Sequence, residues 1–232
     1  MKHTDAHCHL TCIPNSDEIT CAICDATQES DWDKVITNSD NETVFACIGI
    51  HPWFVDTIAP GWESRMREKL TQNPSVMVGE IGLDKYKPEM ELQMQVFTTQ
   101  IKIAIEMKRP VHIHCVGAWD KILHILKDMH GKLPPAIMAH KFDGNQQIIN
   151  KIYDKYNVYF SYSADACAKT VRNTPIERIL IESDAYDTKN EQENIITTTK
   201  NIANILDLTP DEIAKQTYEN LQRIISYVRP IE

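Results

Sequence analysis

The chain has 232 residues, 42% hydrophobic and 25% charged, with Gly 7 and Pro 11; this supports a sizeable core and excludes disordered, collagen-like and linker-dominated polypeptides. Lys+Arg 24 against Asp+Glu 33 leaves a formal net charge of −9, which excludes a generally basic nucleic-acid-binding surface, so any nucleic acid would be held locally, by a metal or a few lysines. No apolar run approaches the roughly 18 residues of a membrane span, and Met1-Lys2-His3-Thr4-Asp5 lacks the apolar stretch of a secretory signal, so a cytoplasmic protein with no membrane partner is expected.

Short apolar runs recur along the chain at 3–7, 19–26, 44–50, 76–81, 111–115, 136–140, 158–161 and 179–182. They are β-branched and near-continuous, as strands buried on both faces are. Helical periodicity follows most of them, at 62–70, 91–107, 118–129, 145–156, 191–206 and 211–228, the last opened by Pro210 with Asp211 and Glu212 in its first turn. Eight strands alternating with helices predict a (β/α)8 TIM barrel, an α/β fold, in a single domain over 1–232; a doubly wound open sheet is the alternative. Only Leu10 to Glu18 separates the first two strands, so the barrel is expected to be slightly distorted, with a shortened first βα segment.

Seven cysteines without an export signal are expected to be reduced. Cys21 and Cys24 have the CxxC spacing of a zinc site, but the run Ile19-Thr20-Cys21-Ala22-Ile23-Cys24 reads as a buried strand in which Cys serves as a small hydrophobe.

The chemistry concentrates at strand ends. His7 and His9 close the first strand, two apart and so on one side. Glu80 closes the fourth, His114 the fifth and His140 the sixth, and Asp184 follows the eighth. In a parallel barrel these ends open on one face, where barrel enzymes build their sites. Singly, each has a structural alternative as a hydrogen-bonded histidine or a helix-capping acid. Together they offer enough N and O donors for one or two divalent cations per chain, Mg²⁺, Mn²⁺ or Zn²⁺. His51, Lys85 and Lys141 fall on the same face and are candidate substrate contacts. Asp5, at the parity of His7, is expected to orient a ligand imidazole; His112 and His3 are expected inside the barrel, His124 and His130 on the surface, Trp53 and Trp119 in core or rim packing.

The ordered set resembles the TatD family of metal-dependent hydrolases, within the amidohydrolase-like barrels. The likeness rests on Asp5-Ala6-His7-Cys8-His9-Leu10, Gly49-Ile50-His51-Pro52-Trp53, Val78-Gly79-Glu80-Ile81-Gly82-Leu83-Asp84, Pro110-Val111-His112-Ile113-His114, Ala139-His140-Lys141-Phe142-Asp143-Gly144, Glu182-Ser183-Asp184-Ala185 and Tyr218-Glu219-Asn220-Leu221. The resemblance implies a hydrolase of ester bonds, a phosphodiesterase or deoxyribonuclease acting on DNA ends or short oligonucleotides. It implies His7, His9, Glu80, His114, His140 and Asp184 as metal ligands, Glu80 as the bridge between two cations, and Asp184 as general base to the attacking water. The chain departs from the family pattern at Val116, Lys141, Asp143 and Tyr186, all on the substrate side. Two other readings remain: an amidohydrolase-type enzyme acting on a small amide, lactone or phosphoester, and a metal-containing binding protein without catalysis. A monomer or weak homo-oligomer is expected.

Overall fold

The computed structural model describes residues 3–9, 19–153 and 155–229. Eight parallel strands lie side by side in chain order, β1 (His3–Cys8), β2 (Ile19–Asp25), β3 (Val44–Ile48), β4 (Met77–Asp84), β5 (Val111–Val116), β6 (Ile137–Ala139), β7 (Val158–Tyr162) and β8 (Ile179–Ile181). The helices are α1 (Trp32–Asn38), α2 (Trp62–Gln72), α3 (Met90–Glu106), α4 (Trp119–Asp128), α5 (Gln146–Tyr153), α6 (Ala168–Arg172), α7 (Thr188–Leu206) and α8 (Pro210–Ile225). The predicted eight-stranded (β/α)8 arrangement is therefore present, as a nearly closed barrel. The seam between β1 and β8 is joined just beyond β8, where Asp184 N–H donates to His7 O at 3.1 Å and His9 N–H to Ala185 O at 2.8 Å. The expected short first βα segment, residues 10–18, lies outside the described residues.

Strand alternation divides the side chains between two cores. Outward-facing Ala22, Val44, Val78, Ile113, Phe160 and Ile181 pack under the helices. Inward-facing Ile23, Phe45, Cys47, Met77, Met138 and Leu180 fill the barrel's lower interior together with Leu221, Ile224 and Ile225 of α8. Towards the carboxyl ends the interior turns polar, with Asp25, Glu80, His112, His140 and Glu182 all buried. Polar residues are tolerated inside only when hydrogen-bonded, and that requirement organises the site.

Boundaries moved by a few residues, and two helices were not expected. α1 and α6 are seven and five residues long, too short to display a helical period. β4 runs three residues further than expected, to Asp84. Its register with β5 shifts between Val78 and Ile81, where the Gly79–Glu80 peptide is cis. Gly82 is required there because a Cβ at this position would lie 1.8 Å from His114 O. The CxxC zinc reading does not hold: Cys21 faces the barrel interior and Cys24 the helices, so the two thiols point apart across one strand.

Candidate metal centre

β1 ends with His7 fully buried and His9 half-buried. His7 Nδ1 lies 3.1 Å from Asp25 Oδ2, and His9 Nδ1 3.0 Å from Asp25 O. The Asp25 carbonyl has no proton to give, so His9 Nδ1 is the donor and a neutral His9 presents an Nε2 lone pair, while the Asp25 carboxylate pairs with the Nδ1 edge of His7 and leaves that ring's Nε2 facing away from it. Those two Nε2 atoms face each other at 3.1 Å. Two facing lone pairs repel unless a proton or a cation sits between them.

Glu80 and Asp184 complete this group. Glu80 Oε2 lies 3.7 Å from His7 Nε2 and 3.5 Å from His9 Nε2. Asp184 Oδ1 lies 3.9 and 3.7 Å from the same two atoms. A tetrahedral ion with bonds of about 2.0–2.2 Å has donor–donor edges of about 3.3–3.6 Å. The His7, His9 and Asp184 donors have edges near that range and form a group able to hold a divalent cation, with Glu80 Oε2 beside both imidazoles, so the chemistry of the donor set fits such an ion.

The other Glu80 oxygen faces a second group. Oε1 lies 2.8 Å from His114 Nδ1, 3.4 Å from His51 Nε2 and 3.7 Å from His140 Nε2. His140 is held as His7 is, its Nδ1 donating to Glu182 Oε2 at 3.0 Å, which frees Nε2. His51 differs. Its Nδ1 accepts from Trp53 N–H at 3.2 Å, so a neutral ring carries its proton on Nε2 and donates to Glu80. His51 both shapes the turn after β3 and holds the carboxylate.

Every predicted ligand, His7, His9, Glu80, His114, His140 and Asp184, is thus brought to one end of the barrel. Among the candidate substrate contacts, His51 touches Glu80, and Lys141 Nζ pairs with Asp184 Oδ2 at 3.0 Å. Lys141 and Asp184 both have positive φ, 43° and 52°, a region non-glycine residues rarely occupy. Lys85 is exposed; its stem crosses Gly117 and its Nζ stands 4.9 Å from the Tyr86 ring centroid.

The electrostatics follow from burial set against opposite charge. Burial alone would raise Glu80, but His51 and His140 overcome it and hold the carboxyl well below its ordinary value. Burial likewise opposes charge on His7, and Asp25 overcomes it, raising the imidazole well above the usual histidine range. Asp184 is lowered against burial by His7, His140 and Lys141. His9 is lowered, by burial and then by His7.

Asp5 does not orient an imidazole. β1's register with β2 shifts between Asp5 and Cys8, which breaks the parity argument. Asp5 Oδ1 accepts backbone N–H bonds from His7 and Ser183 at 3.1 and 3.0 Å, so it secures the seam. His3 is not inside the barrel either: its Nδ1 lies 3.2 Å from Thr199 Oγ1 on α7. His112 is interior as expected, its Nδ1 3.0 Å from Asp25 Oδ2. His124 and His130 are exposed, Trp119 is buried against Phe142, and Trp53 stands at the rim donating Nε1–H to Asp84 Oδ2 at 2.8 Å. The residues that sequence reading missed are Asp25 and Glu182, the acids behind the ligand imidazoles. The available signal was an acid at inward parity with Cys21 and Ile23 at the end of an apolar strand.

A family model described as "TatD related DNase" matches residues 4–226. The chain belongs to the TatD-related DNase family. It is a metal-dependent hydrolase of the TatD type. It is 30% identical over 200 residues to the uncharacterized metal-dependent hydrolase YabD of Bacillus subtilis, covering 78% of this chain and 77% of that one. It is 29% identical over 167 residues to the human 3'-5' RNA nuclease TATDN2, covering 66% of this chain and 21% of that longer protein. The fold is similar to the crystal structure of a TatD family hydrolase from Entamoeba histolytica, with a TM-score of 0.81 at 18% identity, covering 97% of this chain and 98% of that one. Among the described residues of this TatD-family chain, no helix is long and apolar enough to cross a membrane.

Proposed function

We propose that the chain is a phosphodiesterase acting on DNA ends or short oligonucleotides, with residues 1–232 as one domain. The observation that carries the reading is the Glu80 carboxylate, which turns one oxygen to His7 and His9 and the other to His114 and His140. Around this shared carboxylate, His7, His9, Asp184, His114 and His140 would join Glu80 in holding one or two divalent cations. The imidazole-rich donor set favours Zn²⁺ or Mn²⁺ over Mg²⁺, which prefers oxygen. Bound there, divalent cations would supply positive charge for a phosphate and acidify water.

The chain's own residues do the rest. Asp184, paired with the Lys141 ammonium, accepts the proton of the attacking water. Lys141 holds one Asp184 oxygen and places an ammonium at the mouth, where a phosphate oxygen would meet it. Lys85 offers a second cation further along. Asp25 and Glu182 fix the ring tautomers so that Nε2 faces inward. These local cations answer the net charge of −9. The substrate class is supported by the family's description and by the human relative's name as a 3'-5' RNA nuclease. A cytoplasmic setting and a monomeric or weakly associating state rest on the sequence reading alone.

The test is hydrolysis of single-stranded DNA, RNA and bis(p-nitrophenyl) phosphate by metal-loaded protein, with Asp184→Asn beside it. The variant should lose about 10²-fold or more in turnover at saturating metal. Near-normal turnover with metal still bound removes Asp184 as the base. Cleavage of a lactone or an N-acyl amino acid in preference to every phosphodiester overturns the reading.

A further inference from the structure

Beside the cluster, on its β5–β6–β7 side, lies a cavity of about 310 Å³ whose inner wall is His114 and His140. A group seated there is therefore adjacent to whatever occupies the Glu80 cluster. The volume is at the lower end for small-molecule sites, enough for one nucleoside and too small for two. Its apolar walls include Val116, Phe142 and Tyr162, surfaces suited to the face of a base.

The charges decide what edge that base presents. Lys141 lines the cavity, but its Nζ stands 3.0 Å from Asp184 Oδ2, on the side of the Glu80 cluster where the reacting phosphate would meet it. The other charged groups on the lining are Asp143 and Asp165. Asp165 is held in orientation by the Ser163 hydroxyl, which donates to its Oδ1 at 2.7 Å. A second phosphate entering here would meet two carboxylates, so the cavity suits an uncharged group rich in hydrogen-bond donors. Cytosine, adenine and guanine carry exocyclic amino donors; thymine and uracil offer carbonyl oxygens at those positions, which a carboxylate repels.

We propose that this cavity seats the base of the terminal nucleotide and selects amino-bearing bases over thymine and uracil through Asp143 and Asp165. The proposal rests on the phosphodiesterase reading above and names the substrate preference of that site. It is tested with matched single-stranded oligonucleotides that differ only in the terminal nucleotide, one series varied at the 3′ end and one at the 5′ end. In one series kcat/KM should favour terminal C over terminal T by about tenfold. In Asp143→Ala/Asp165→Ala the ratio should fall towards one; as a ratio, it is insensitive to a general loss of activity.

A second measurement needs no turnover. Cys167 is exposed and lines the same cavity. Its alkylation by iodoacetamide, followed by peptide mass analysis of metal-loaded protein, should be slowed by dCMP and not by the same concentration of dTMP. Equal protection by the two nucleotides, or a C-to-T ratio unchanged in the double variant, overturns the proposal. Hydrolysis of phosphodiesters without any base preference overturns the cavity's role alone, whereas no hydrolysis of any phosphodiester, bis(p-nitrophenyl) phosphate included, overturns the phosphodiesterase reading with it.

Discussion

Asp25 does the work of two residues at the centre of the site. Its carboxylate pairs with His7 Nδ1 at 3.1 Å, and its carbonyl accepts the Nδ1–H of His9. The same carboxylate lies 3.0 Å from His112 Nδ1. Gly79 leaves the room for this arrangement: a Cβ there would stand 2.7 Å from Asp25 Oδ1 and 2.5 Å from His112 Cβ. Loss of such a partner typically costs a histidine site 10–100-fold in metal affinity. Asp25→Asn keeps the carbonyl that holds His9 but removes the negative charge that His7 and His112 share at Oδ2. Metal affinity should fall about 10–100-fold, read by chelator competition; an unchanged affinity would show that the ring positions are set by packing alone. The convergence of the six predicted ligands was legible in the sequence because they fall at strand ends in a recognisable order. Asp25 was not, because a lone acid near the end of a predicted strand carries no motif that ties it to an imidazole on another strand. Lys141 was legible in position but not in partner, since nothing local ties residue 141 to residue 184. Lys141→Ala should raise KM for phosphorylated substrates more than it lowers kcat; equal KM in steady-state assays would return this lysine to a purely structural pairing.

At the scale of elements, the sheet is held to its helices by buried polar side chains that hydropathy cannot foresee. Gln93 and Gln100 on α3 are buried yet satisfied. Gln100 clamps Ile50, accepting its N–H at 2.7 Å and donating to its carbonyl at 3.1 Å, and so fixes the backbone that carries His51. Gln93 accepts the N–H of Asp84 at 2.9 Å. The Tyr218-Glu219-Asn220-Leu221 motif gains a physical meaning too: Asn220 Nδ2 donates to Ile176 O at 2.9 Å and Ile179 O at 2.8 Å, pinning α8 to the start of β8. Between α7 and β1 the balance is less favourable. Asp5 and Glu191 are both fully buried, and burial raises the first to about 7 and, with the nearby Asp5 charge, the second to about 8. The folded state then keeps protons that the unfolded chain releases near the ordinary carboxylate range, so stability falls as pH rises from about 4.5 to about 8. Glu191→Gln removes one of the two groups and can donate to the other. In urea unfolding of the metal-free protein the variant's midpoint should fall less than wild type's between pH 5 and pH 8. Parallel midpoints across that range would show that Glu191 is not buried as a neutral acid.

Across the whole molecule, the barrel separates stability from chemistry along its axis. The carboxyl ends carry the polar cluster, and the opposite end is closed by α8, whose Leu221, Ile224 and Ile225 sit against Ile23, Phe45 and Leu180. That closure explains why near-continuous apolar strands alternating with helices predicted the fold while saying little about the plug: such strands report two buried faces, but not which helix seals the interior. Leu221 is fully buried, and truncating such a leucine removes transfer energy and leaves a cavity that neighbours fill only in part. Leu221→Ala should therefore cost about 2–5 kcal/mol in unfolding free energy, measured by denaturant titration, while metal affinity stays within twofold because no ligand or ligand-holding acid shares that layer. A parallel loss of both would mean that the two ends of the barrel are coupled, and that the site depends on the plug for its geometry rather than on Asp25 and Glu182.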